Sequence, residues 1–93
     1  MVFGLVYVEV HIPQSESLKE KRSVIKGLKQ RIRNTFNVSI AEVDFLDKWQ
    51  RAAFGIGIVC TDSAELDSTI AKLESYVYHE YRVQITKWEV QVV

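Results

Sequence analysis

The chain has 93 residues, with 12 Lys and Arg against 12 Asp and Glu, 47% hydrophobic and 11% aromatic content, and one Cys. So short a chain holds one domain, burying about two-thirds of its unfolded surface, and its aromatic content excludes disorder. Cys60 alone closes no internal disulfide and builds no thiolate zinc site, and a net charge of zero makes no global case for nucleic acid or membrane.

Residues 2–12 are rich in Val, Tyr and Ile and end at Pro13, which reads as a first strand. The segment alternates Glu9 and His11 with Val8, Val10 and Ile12, whereas a signal peptide has an unbroken apolar stretch, and no apolar run approaches the roughly 20 residues of a membrane span. A cytoplasmic location is expected. Ser17 with Glu20 three residues on forms a capping box, and Leu18, Ile25, Leu28, Ile32 and Phe36 recur at the spacing of a helix with one buried face, over about 18–35. Asn37 is expected to end that helix in the left-handed region. A second strand covers 38–46, a polar turn 47–50 and a third strand 51–61. Asp62 and Glu65 cap a second helix running to about 80, with Leu66, Ile70, Leu73 and Val77 inward, and the last strand covers 82–93.

The order β-α-β-β-α-β with right-handed crossovers predicts an α+β, ferredoxin-like sandwich over 1–93: a four-stranded antiparallel sheet of order 4-1-3-2 with both helices on one face. Strands one and three are the most apolar, as central strands should be. Strands two and four carry Ser39, Glu42, Asp44, Gln84, Lys87 and Glu89, as edges should. In the last strand the alternation changes phase between Ile85 and Trp88, which predicts a β-bulge near Thr86–Lys87.

The zero net charge hides a polarised molecule. Residues 18–36 hold seven basic residues and one acid, a net +6; residues 62–80 hold one basic residue and five acids, a net −4. On a wheel of about 100° per residue, Lys19, Arg22, Lys26, Lys29 and Arg33 fall within roughly 80° of one another and run for about 20 Å, which matches a row of backbone phosphates. Pairing with the acids of helix two, or simple solvation, accounts for the same stripe. Ser23, Gly27 and Gln30 lie furthest from the core, and Gly27 reads as tolerated drift, with close approach of another backbone as the alternative.

Trp49 and Arg51, at the turn before strand three, can stack on an exposed base; the competing reading is a tryptophan lid over the hairpin. Strand three, Arg51–Ile58, supplies one aromatic where RNA-recognition domains require several at alternate positions, so no stacking platform is expected on the sheet. With Val6, Val8, Val10 and Ile12 facing the helices, Phe3, Leu5 and Tyr7 form an apolar patch on the helix-free face beside Ala53, Gly55 and Gly57, which reads as a homodimer interface. His11 and His79 are too far apart for a ligand pair, Cys60 reads as a core residue, and Glu42 and Asp44 share a solvated face with Asp47 nearby. No metal or cofactor is expected. The loop Pro13-Gln14-Ser15-Glu16-Ser17 has no Gly and no cation, which argues against acyl-phosphate chemistry, and no catalytic motif is found.

Three segments together, Ser17-Leu18-Lys19-Glu20-Lys21-Arg22, Phe36-Asn37-Val38-Ser39-Ile40-Ala41-Glu42-Val43 and Trp49-Gln50-Arg51-Ala52, resemble the YlxP-like family of small bacterial proteins, a domain-of-unknown-function family, across nearly the whole chain. The resemblance implies a ferredoxin-like fold and a gene neighbourhood of translation initiation and ribosome maturation factors, with no established activity and no catalytic residues. The expectation is a non-enzymatic protein associating with structured RNA or a ribosomal particle through helix one. The alternative is a homo-oligomeric regulatory domain that takes a small ligand or a protein on the sheet face.

Overall fold

A computed structural model describes residues 1–93. The elements are β1 (Val2–His11), α1 (Leu18–Thr35), β2 (Ser39–Asp44), β3 (Arg51–Cys60), α2 (Ser63–Tyr78) and β4 (Gln84–Val92). The sheet is antiparallel with order β2-β3-β1-β4, the expected topology read from the other edge. Both helices cover one face. Their buried Ile25, Leu28, Ile32, Leu66, Leu73 and Val77 meet Val6, Val8, Val10, Phe54, Ile56 and Ile58 in a single apolar cluster. Fully burying a side chain of this size is worth roughly 1.5–3 kcal/mol.

Local chemistry sets the helix starts. Ser17 Oγ accepts the Glu20 N–H at 3.0 Å and Asp62 accepts the Glu65 N–H at 2.8 Å. The two glutamates reach one residue further back than a capping box requires, to the N–H groups of Glu16 and Thr61. The end of α1 differs from expectation: Asn37 is not left-handed, since Phe45 alone has positive φ. Phe36 leaves the helix in an extended conformation with its N–H on the Ile32 carbonyl, and its ring packs edge-on against Tyr76 at 5.6 Å. An aromatic anchor thus does the work assigned to a left-handed residue.

Two bulges shape the edges. The β1–β4 register shifts between Glu9 and Val10, leaving Thr86 as the extra residue, as the phase change predicted. A second shift, at Val43 in β2, sends Glu42 and Asp44 to opposite faces. Glu42 pairs with Phe54 on the helix side and Asp44 with Ala53 on the other, so the solvated pair read from strict alternation does not exist.

Candidate nucleic-acid interface

Buried apolar positions hold one side of α1 against the sheet, which turns the basic stripe outward along the edge where α1 overhangs β2. Lys19, Arg22, Lys26 and Arg33 are exposed and Lys29 is half-buried. Arg22, Lys26, Lys29 and Arg33 line one shallow cleft of about 430 Å³, with Ile25, Gln30 and Glu42 completing its wall. None of the five cations takes part in an ion pair. Arg33 donates to the Ile40 carbonyl at 2.9 Å, which fixes its side chain across the end of the cleft.

No acid after the third strand pairs with the stripe. Asp62 and Glu65 are used in capping. Glu80 lies 2.5 Å from Arg31, a cation outside the stripe, and 3.1 Å from Arg82 Nε. Desolvation opposes ionisation of Glu80, but the hydrogen bonds and charge of Arg82, with the charge of Arg31, hold its carboxyl below the usual value. At Gly27 a Cβ would stand 3.1 Å from Arg31 Nη1, the far end of a flexible side chain that can shift by a few tenths of an ångström, so space alone does not require the glycine.

One basic residue of α1 behaves differently. Lys21 is fully buried, its Nζ 2.7 Å from Glu42 Oε2 and 2.7 Å from the Phe45 carbonyl. Sequence reasoning missed this pair, though Lys21 occupies the inner position between Leu18 and Ile25 in the same 3–4 spacing as the apolar residues.

The remaining expected residues lie apart from the stripe. Trp49 is 55% exposed, so it forms no lid. Its loop is held by Gln50, whose Nε2 donates to the carbonyls of Pro13 and Ser15, leaving the adjacent indole in solvent. Arg51 sits on the helix-free face, its guanidinium 3.8 Å from the centre of the Phe45 ring and 2.9 Å from Glu9.

On that face Tyr7 donates to Glu9, and Lys87 pairs with Glu89 at 2.9 Å. Desolvation, the hydrogen bond to Glu9 and the charges of Glu9 and Asp44 push the Tyr7 phenol up. The bond to Glu89 raises Lys87 in turn. Of the apolar patch, Leu5 is 40% exposed while Phe3 and Tyr7 are half-buried. Phe3 and Leu5 border a groove of about 650 Å³ beside Gly55 and Gly57. No helix is long and apolar enough to cross a membrane.

A family described as "Protein of unknown function (DUF503)" matches residues 3–90. The chain is 37% identical over 91 residues to the uncharacterized protein YlxP of Bacillus subtilis (strain 168), covering 94% of this chain and 99% of that protein.

Proposed function

Since the chain belongs to the DUF503 family of proteins of unknown function, its role has to be read from its own surface, and we propose that it is a non-enzymatic module that binds structured RNA or a ribosomal particle through α1. The observation that carries this reading is the set of five unpaired cations, Lys19, Arg22, Lys26, Lys29 and Arg33, four of them around one cleft. Like charges three and four residues apart repel unless an anion faces them, and a phosphate backbone supplies anions at the matching scale. The test is fluorescence anisotropy of a structured RNA with wild type and with the Arg22→Gln, Lys26→Gln, Lys29→Gln triple variant. Loss of binding in a folded triple variant is expected; equal affinity rejects the reading.

The groove beside Gly55 and Gly57, with the adjoining hollow at Tyr7, favours a second reading, in which a homo-oligomeric regulatory domain takes a small ligand or a protein on the helix-free face, with Phe3, Leu5 and Tyr7 at the contact. Tyr7→Glu would then abolish that association and leave RNA binding intact.

A further inference from the structure

The two edges of the sheet are protected unequally. β2 is short, is bulged at Val43, points Glu42 inward and has the Ile40 carbonyl occupied by Arg33. Each of these discourages an added strand. β4 has nine residues and no proline, and beyond the Thr86 bulge its inner row is Trp88, Val90 and Val92, with Val90 44% and Val92 58% exposed.

The backbone of that row is open as well. The Val93 N–H donates to the Phe3 carbonyl at 2.8 Å. Bonded pairs alternate along an antiparallel ladder, so Lys87, Glu89 and Gln91 turn their polar groups to β1, and Trp88, Val90 and Val92 turn theirs to the free edge.

We propose that this edge pairs antiparallel with the β4 edge of a second copy of the chain, centred on Val90, to form one continuous sheet across a two-fold axis. In that register Trp88 lies opposite the partner's Val92 and Val90 opposite the partner's Val90, so the uncovered apolar row covers itself and every outward donor and acceptor of the three residues finds a partner. Polar complementarity selects the same register. Glu89 lies opposite the partner's Gln91, whose amide can donate to the carboxylate; moving the centre to Glu89 would set two carboxylates directly against each other. Moving it to Trp88 would run the pairing into the Thr86 bulge. One strand pair buries far less than the roughly 1,200–2,000 Å² of a standard stable complex, so the dimer is concentration-dependent. The axis is perpendicular to the sheet, which leaves the helix-free face open and both basic stripes on the same side.

Val90 on the axis makes the test specific. Bonded antiparallel neighbours stand about 5.5 Å apart at Cα, within disulfide range, so Val90→Cys should cross-link two copies on mild oxidation while wild type, whose Cys60 is buried, should not. In sedimentation, Val90→Lys and Val90→Glu should each run as monomers at concentrations where wild type is dimeric, and their equimolar mixture should recover the dimer. Circular dichroism confirms that each variant is folded. A wild type that stays monomeric at millimolar concentration overturns the proposal, as does a dimer that survives Val90→Lys or is dissociated by Tyr7→Glu instead.

Discussion

Lys21 and Glu42 form an ion pair at 2.7 Å in which the lysine side chain is 1% and the glutamate 15% exposed. The same ammonium holds the Phe45 carbonyl, so one buried charge ties α1 to β2 and to the residue that enters the following loop at φ 61°. Lys21→Met leaves the Glu42 carboxylate without its cation and is expected to cost about 3 kcal/mol, the lower end for breaking a buried pair because Glu42 keeps some contact with water. Lys21→Met with Glu42→Leu should recover much of that loss. Urea unfolding midpoints of the two single variants and the double variant provide the check.

Glu80 gives stability a defined pH dependence. Its carboxyl sits below the ordinary value of 4.5 in the folded chain, so its contribution is fully present above that value and fades as pH falls through the lower folded one. Glu80→Gln should therefore lower Tm at neutral pH, and the gap from wild type should close on acidification below about pH 4.5. A gap that stays constant with pH would assign the effect to packing.

Two strand glycines should respond oppositely to alanine. A Cβ at Gly4 would stand 2.8 Å from Leu66 Cδ1, and Leu66 is 1% exposed. Gly4→Ala should destabilise by about 1 kcal/mol or more. At Gly57 the nearest atom is Phe3 Cζ at 3.9 Å, an ordinary contact. Gly57→Ala should be neutral or stabilising by up to about 1 kcal/mol, from reduced freedom of the unfolded chain. Thermal melts of the two variants decide both signs.

If the stripe binds phosphates, affinity should fall steeply with salt. Five contacts on a duplex correspond to a log–log slope near about −4.5 between about 50 and 200 mM salt, and each cation removed should flatten it by roughly one unit. Arg31→Gln, which removes a cation already committed to Glu80, should change the slope much less than Lys26→Gln.

The sequence was most legible where its signals were local or periodic. The capping residues Ser17 and Asp62, the inner faces of both helices and the phase change around Thr86 are all readable within one element, and together they fix the order of elements that determines the sheet. The Lys21–Glu42 pair was hidden because its partners are 21 positions apart on different elements, and no local pattern links them. With the bulge at Val43 unseen, alternation kept Asp44 on the face of Glu42, and that face read as solvated where the fold buries Glu42 beside Lys21. Asn37 had the right residue type for a helix end, but the contact of Phe36 with Tyr76, forty positions on, decided the geometry there. The stripe was legible as a pattern, while the absence of ion pairs to it depended on where the fold places the acids after β3.

Finally, β1 lies between β3 and β4, and its registers join Val2 to Cys60 and Gly4 to Val92. Both neighbours of this central strand lie 40 or more positions downstream of the residues they pair with. Loops this long must close before the sheet gains anything from its pairings, so formation of the native sheet is slow for a domain of this size. Until β4 arrives, β1 itself is an unpaired edge with an apolar inner row, and a chain interrupted before residue 84 exposes that edge to aggregation.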